Sequence, residues 1–207
     1  MPVALVLGVL AGLREGGILD RAISILSLVT TASPSFALGV ILVVVFAYWL
    51  DILPGISALT TTDSALGSPE KLVMPIMVLF FAEAGYVARM TRASMVDVMR
   101  EPYIRTAILK GLPRWKVVFK HALRNALLAP ITVIMLHINW LIGGVVVVEM
   151  LFGYPGLGSA ILTASLNKDL YVIEAGALVM TFVAVTSQLL ADLLYSYLNP
   201  RIRIRES

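Results

Sequence analysis

Long apolar stretches with few charges dominate this sequence, and they restrict the folds that are open to it. Of the 207 residues, 59% are hydrophobic and only 14% are charged, whereas about a quarter of the residues in a typical soluble domain are charged. Because backbone groups in lipid must form their hydrogen bonds within their own segment, such stretches predict membrane-spanning helices. We therefore expect an all-α integral membrane protein, built as a bundle of about five transmembrane helices. The five apolar blocks are Met1–Leu13, Pro34–Leu50, Leu72–Val87, Leu127–Met150 and Leu170–Leu198.

The first block is too short to cross a bilayer, because a span needs about 20 residues. No basic residue lies within Met1–Ala4, and this argues against a signal peptide. We expect Met1–Leu13 to be the end of a spanning helix that begins upstream, so that the first helix of the bundle is incomplete. Residues 1–207 are expected to form a single transmembrane domain.

Along the chain, connections between apolar blocks that contain several basic residues alternate with connections that contain only one. Arg14 and Arg21 lie between the first two blocks, whereas the connections that contain Lys71 and Lys168 hold one basic residue each. The positive-inside rule places the basic connections, including a loop at residues 89–126, in the cytoplasm. This loop has more basic residues than are needed to fix the orientation of the neighbouring spans. Contact with anionic lipid or with a protein partner would explain the excess. Its cations are Arg89, Arg92, Arg100, Arg105, Lys110, Arg114, Lys116, Lys120 and Arg124, and Arg201, Arg203 and Arg205 lie in the C-terminal tail.

The loop contains a short helix with its own stop signal. Pro102 suits the first position of a helix, where its missing N–H costs nothing. Lys110 falls in the last turn, where a cation complements the helix dipole. Gly111 can adopt the left-handed conformation that ends a helix, and Pro113 prevents continuation. The pattern predicts a helix of about nine residues, roughly 14 Å long, which is too short to be stable alone in water and must be held by its neighbours.

A second amphipathic helix is expected to follow, to lie along the membrane boundary and to lead into the fourth span. We call the two helices together, residues 102–127, the elbow. From the residues alone, a connecting role and a docking role are equally open. Lys116, Lys120, His121 and Arg124 lie off the apolar stripe of this helix, which consists of Trp115, Val118, Phe119, Ala122, Leu123, Ala126 and Leu127.

Several motifs in this chain resemble those of a known transporter family. Arg105-Thr106-Ala107, followed after three residues by Gly111, resembles the EAA motif of ABC importer permeases, with arginine in the first place. The wider run YIRTAILKGLPRWKVVFKHALRNALLAPITV resembles the peptide/nickel importer permeases, which include dipeptide and oligopeptide permeases. The stretches ARMTRASMVDVMREPYIRTA, VVVVEMLFGYPGLGSAI and LLADLLYSYLNPRIR match the same family. The chain is therefore identified as a binding-protein-dependent transport inner membrane component.

This resemblance implies a permease subunit of an ATP-driven importer for di- or oligopeptides or similar small solutes. It places the chain in the inner membrane of a bacterial cell, with its C-terminus in the cytoplasm. The short helix would act as a coupling helix that docks on an ATPase and links ATPase closure to alternating access. The expected partners are cytoplasmic ABC ATPase subunits, a companion permease in a heterodimer and an extracytoplasmic solute-binding protein.

The implied coupling segment divides its roles among a few residue types. Its first two residues are expected to supply apolar contact, and its two cations are expected to pair with acidic groups or helix C-termini of the ATPase. The two small residues between the cations would allow close approach, and the glycine would set the turn. The segment comprises Tyr103, Ile104, Arg105, Thr106, Ala107, Lys110 and Gly111.

Four polar residues within the apolar blocks are candidates for the lining of a translocation pathway, namely Glu83, His137, Asn139 and Gln188. A carboxylate within a span is costly and is a functional candidate by default. Hydrogen bonding between helices is the competing interpretation for all four. An alternative function is an ion-coupled secondary carrier that uses Glu83 or His137 as its proton site, although such a carrier has no evident need for a short, stopped helix.

Enzymatic functions find little support in the inventory of residues. The chain lacks the phosphate-binding pattern G-x-x-x-x-G-K-[ST], so ATP is expected on a partner ATPase. It has two histidines, no H-E-x-x-H pattern and no cysteine, and we expect no catalytic residue, bound metal or cofactor. GLGS at Gly156–Ser159 does not match G-x-S-x-G. The run Gly153–Gly158 is expected to be an outward turn, either plain or in contact with a substrate-delivery protein.

Overall fold

The computed structural model describes residues 1–58 and 67–198, except for the side chains of Ile138, Asn139, Trp140, Ile142, Ala191 and residues 194–198. All regular secondary structure within these ranges is helical, and this confirms the all-α prediction. Two of the segments have π geometry and continue the helices before them. The elements are α1 Pro2–Leu13, α2 Ile18–Ala32, α3 Ser35–Leu42 with π segment Val43–Trp49, α4 Glu70–Met99, α5 Pro102–Leu109, α6 Arg114–Lys116 with π segment Val117–Ala122, α7 Leu123–Ala126, α8 Leu128–Phe152, α9 Leu157–Leu166 and α10 Leu170–Leu198.

Several of these helices have the length and apolarity of membrane spans. In the described part of the chain, Glu70–Met99 and Leu170–Leu190 each suffice alone. Three bent helix pairs also reach the required length and apolarity when each pair is counted as one span, which gives up to five spans. The sequence prediction of a membrane-embedded helical protein is therefore confirmed.

The chain forms two compact units. The first contains Met1–Thr31, Glu83–Leu136 and the described residues from Leu190 onward, and the second contains Ala32–Ala82 and His137–Leu189. The long helices α4 and α8 each contribute one part to each unit.

In the first unit, glycines allow α1 to approach α4 closely. A Cβ atom added at Gly8 would lie 2.5 Å from the carbonyl oxygen of Ala88 and from Cβ of Thr91. One at Gly12 would lie 2.8 Å from Cβ of Met95. The two glycines form a G-x-x-x-G pair, and their role is packing within the chain.

The buried residues of helix α2 are polar, and most of its apolar residues face outward. Asp20, Ser27 and Thr30 are buried, whereas Ile25 and Leu28 are more than half exposed. Gly85 of α4 lies directly against the Ser27 turn, because a Cβ there would approach the Ser27 carbonyl oxygen to 2.5 Å. This inverted pattern is the one expected of a helix whose outer face meets lipid, since polar groups there must bond to protein.

The core of the second unit joins α3 to α4 and α8. Met74, Val78, Val148 and Phe152 are buried there, and side chains of α3 and its π segment pack against them. The loop after α3 is attached to the same core, because the Ser57 N–H donates to the Phe152 carbonyl over 2.7 Å. The end of α8 thus contributes Phe152 both to the core of the second unit and to the attachment of the loop after α3.

The predicted element bounds differ from the observed ones in a few places. The last block matches α10, and the block at Leu72–Val87 lies within the longer helix α4. The connections at residues 14–33 and 152–169 contain helices that the apolar blocks did not predict, α2 and α9. Gly153 does turn the chain, with φ of 66°, but the run Gly153–Gly158 ends inside the first turn of α9.

Candidate functional site: the elbow

Helix α5 begins and ends at the residues that the sequence predicts. Pro102 occupies its first turn, and Gly111 has a φ of 72°. At the C-terminus the Gly111 N–H donates to the Ile108 carbonyl over 2.9 Å, and the Leu112 N–H donates to the Ala107 carbonyl over 3.4 Å. This pair of bonds is the Schellman arrangement, in which glycine is favoured because no Cβ resists the left-handed conformation. The stop of this helix is therefore built into the local sequence.

One face of α5 is buried in the chain's own core. Ile104 is fully buried and Ala107 is 7% exposed. They form one cluster with Met95 of α4 and with Val117 of the next helix, and Leu112 packs against the edge of this cluster. The cluster supplies the neighbours that a helix of this length requires.

The rest of α5 is exposed. Tyr103, Ile108 and Leu109 have exposed fractions of 40%, 55% and 78%. Of the other residues in the implied coupling segment, Arg105, Thr106, Lys110 and Gly111 are also exposed.

The burial of Ile104 and Ala107 corrects part of the expected division of roles. Ile104 was expected to supply apolar contact to a partner, and Ala107 was expected to allow close approach. Both side chains face the core of this chain, so they hold α5 in place. The apolar surface available to a partner comes from Ile108 and Leu109, two residues that the resemblance did not single out.

The second helix of the elbow consists of α6, the π segment and α7, and its buried face differs from the predicted stripe. Val118, Ala122 and Ala126 of the predicted apolar stripe are buried, and Val117, which lies outside that stripe, is buried with them. Trp115 and Phe119, which the sequence places on the same apolar stripe, are 62% and 68% exposed. A π turn has more residues per turn than an α turn, and it therefore shifts which side chains face inward.

One hydrogen bond attaches the elbow to α4, and another joins the two helices of the elbow. The Ser94 hydroxyl of α4 donates to the Ala126 carbonyl over 2.7 Å. Within the elbow, the Asn125 side-chain amide donates to the Tyr103 hydroxyl over 2.9 Å. These bonds and the apolar cluster connect both elbow helices to each other and to α4.

Ion pairs connect α4 to the N-terminal part of the chain just before the elbow. The Arg92 guanidinium binds the Asp20 carboxylate with two nitrogens, one of them 2.7 Å from Oδ2. Asp20 also accepts a hydrogen bond from the Gly16 N–H over 2.9 Å. Arg100 and Glu15 form a second, exposed pair at 2.7 Å. In the bidentate pair, Asp20 is buried and Arg92 is partly exposed, and its geometry is the one that makes arginine–carboxylate contacts strong.

Residues 4–204 match the family described as binding-protein-dependent transport system inner membrane component. The chain belongs to this family.

Curated relatives of this permease family cover nearly all of the chain. The chain is 37% identical over 203 residues to a putative peptide transport system permease protein of Brucella abortus (strain 2308), with 98% of this chain and 65% of the relative covered. It is 39% identical over 197 residues to the oligopeptide transport system permease protein AppB of Bacillus subtilis (strain 168), with coverage of 94% and 62%. It is 35% identical over 219 residues to the di/tripeptide transport system permease protein DppB of Pseudomonas aeruginosa (strain UCBPP-PA14), with coverage of 96% and 65%. The chain thus spans less than two thirds of the length of these relatives.

The candidate pathway residues of this chain are distributed over both units. Glu83 lies in the first unit, and His137 and Gln188 lie in the second. All three side chains are partly buried, and each has an interaction partner in the structure. The side chain of Asn139 lies outside the described residues. Their role in a pathway stays a prediction.

Glu149 is a structural carboxylate that the sequence reasoning did not single out. It is 8% exposed near the end of α8, and its Oε2 accepts the Ser159 N–H of α9 over 2.8 Å. The Gly156 N–H, just before α9, donates to the Ser159 hydroxyl over 3.0 Å. A carboxylate at a helix N-terminus bonds to free N–H groups and is favoured by the dipole. Its position inside an apolar block was a signal available in the sequence, the same one that drew attention to Glu83.

Proposed function

We propose that this chain is part of a permease subunit of an ABC importer for di- or oligopeptides or similar small solutes. Membership of the binding-protein-dependent transport family supports the importer assignment. The substrate class is supported by the names of the relatives, which are peptide, oligopeptide and di/tripeptide permeases.

In this proposal, helix α5 is the coupling helix. The observation that supports the assignment is that this short helix is buried on one side and exposed on the other. Ile104 is fully buried in the chain, whereas Leu109, on the same short helix, is 78% exposed. An exposed apolar side chain beside cations is suited to a groove on another protein. A helix that only connected two spans would not need this surface.

The charge of the elbow favours an acidic partner surface. The sequence contains no aspartate or glutamate from Pro102 to Val148. Arg105 and Lys110 are exposed on α5, and they are available to acidic groups or helix C-termini of an ATPase. Movement of the docked helix would pass to α4 through the core shared by Ile104 and Met95, and so would couple ATPase closure to alternating access.

The remaining parts of the importer follow from this assignment. ATP binds to the partner ATPase subunits, a companion permease completes the membrane part as a heterodimer, and an extracytoplasmic binding protein delivers the solute. The chain lies in the bacterial inner membrane, with the elbow and the C-terminus in the cytoplasm, in agreement with the distribution of basic residues.

The experiment that tests this proposal compares two equally exposed leucines. Leu109→Asp changes the outer face of α5, and Leu166→Asp changes a leucine of α9 that is 76% exposed. The chain, assembled with companion permease and ATPase subunits, is purified through the permease, and the co-purified ATPase is quantified. We expect Leu109→Asp to reduce the ATPase yield at least tenfold and to abolish uptake, and Leu166→Asp to leave the ATPase yield unchanged.

Two results would contradict the proposal. Retention of full ATPase binding by Leu109→Asp would show that α5 does not dock. Uptake that continues without any ATPase, but is lost in Glu83→Gln, would favour an ion-coupled carrier in place of an importer.

A further inference from the structure

The second elbow helix, Arg114–Ala126, has an exposed face on which aromatic and basic side chains lie together. Trp115 and Phe119 are four residues apart and mostly exposed. Lys116, Lys120 and Arg124 follow the same spacing and are exposed as well. The Lys116 ammonium lies 5.6 Å from the centroid of the Trp115 ring, so the cation and the indole face the same side of the helix. We call these five residues the aromatic–basic face.

This face is separate from the docking surface of α5. On the inner side of its helix, Val117, Val118 and Ala122 are buried in the shared core. None of the five residues belongs to the implied coupling segment. A function for this face is therefore an addition to the ATPase docking proposed above, and it does not depend on it.

The position of the helix brings the face to the border of a span. Arg114–Ala126 bends by 42° into Leu128–His137, the first part of α8, and the two together have the length and apolarity of a span. Exposed tryptophan and phenylalanine beside lysine and arginine are the composition of helices that lie in the membrane interface, where rings enter the headgroup region and cations meet lipid phosphates.

We propose that the aromatic–basic face binds the headgroups of anionic phospholipids. Charge complementarity selects this occupant, because the face carries three cations and the sequence around it, from Pro102 to Val148, has no acidic residue to neutralise them. Each basic residue near an anionic leaflet is worth roughly a fivefold change in binding. Trp115 and Phe119 add an apolar contact that a purely electrostatic protein surface would not use.

Fluorescence quenching by brominated lipid in nanodiscs tests this proposal. Trp49→Phe and Trp140→Phe leave Trp115 as the one tryptophan of the chain. The chain is placed in bilayers of phosphatidylglycerol and phosphatidylcholine in equal parts, in which either the first or the second lipid is brominated. We expect brominated phosphatidylglycerol to quench Trp115 at least twofold more than brominated phosphatidylcholine does. The difference should shrink with added salt as the Debye length falls from about 30 Å to about 8 Å.

A matched pair of triple variants distinguishes the effect of the cations on this face from the effect of the chain's total basic charge. Lys116→Gln with Lys120→Gln and Arg124→Gln should make the two brominated lipids equal quenchers. A control that removes three cations elsewhere, Arg14→Gln with Arg21→Gln and Lys168→Gln, should keep the preference. If the chain with Trp115 alone does not fold, the difference between the natural sequence and Trp115→Phe gives the same readout.

Two outcomes would overturn the proposal. Equal quenching by both lipids in the chain with an unsubstituted aromatic–basic face would mean that the face contacts lipid without selecting the headgroup. Absence of quenching by either lipid would mean that a protein surface, such as the companion permease, covers this face.

Discussion

Replacement of Gly8 by alanine tests the close packing of α1 on α4. The added Cβ would lie 2.5 Å from a backbone oxygen of Ala88 and from Cβ of Thr91, whereas ordinary contacts begin at 3.4 Å. The helices must therefore separate locally by about 0.9 Å, the difference of these two distances. Overpacking of this kind costs about 1–3 kcal/mol, which exceeds the gain of about 1 kcal/mol that alanine brings to a helix in place of glycine.

Gly143→Ala in α8 is the matched control. Among the described residues, nothing lies within 4 Å of a Cβ added there, so only the helix-propensity gain should remain. The free energy of unfolding is measured by titration with a denaturing detergent, starting from mild micelles. We expect Gly8→Ala to be less stable than the natural chain and Gly143→Ala to be equal to it or more stable. Equal stability of the two variants would refute the argument that Gly8 is required for close approach.

Three further substitutions test contacts around the elbow and α9. Arg92→Ala should leave the buried carboxylate of Asp20 without its cation and lower the free energy of unfolding by about 3–5 kcal/mol. Adding Asp20→Asn to this variant should restore part of the lost stability. No recovery in the double variant would argue against the ion pair. Ile104→Ala should create a cavity at a fully buried site, lower the free energy of unfolding by about 2–4 kcal/mol and speed tryptic cleavage in the elbow. Leu109→Ala should change neither the stability nor the rate of cleavage. Glu149→Ala should free the N-terminus of α9, lower stability by about 1–2 kcal/mol and accelerate amide hydrogen exchange in its first turn, and unchanged exchange would contradict the capping role.

The sequence predicts those elements that depend on local signals. The start and stop of α5 follow from Pro102 and Gly111, because proline restrains φ to a helical value and glycine adopts the left-handed conformation without strain. The bounds of α10 follow from one long apolar run. These features need no knowledge of what packs against them.

The features that the sequence did not predict depend on tertiary contacts. In α2 the polar side chains of Asp20 and Ser27 are buried and the apolar ones are outside, so a search for apolar blocks passes over the helix. The second elbow helix contains a π segment at Val117–Ala122, and its buried face includes Val117 and leaves Trp115 exposed. No periodicity rule anticipates such a segment, since it arises from packing rather than from residue type.

The shared core of the elbow has a consequence for how the sequence can vary. Met95, Ile104 and Val117 come from three segments but fill a single volume, and close-packed interiors tolerate changes that conserve volume best. A larger side chain at one of these positions is therefore expected to accompany a smaller one at another as the lineage diverges. Leu109 lies outside this cluster and is 78% exposed, so under the proposed docking it should instead vary together with residues of a different polypeptide.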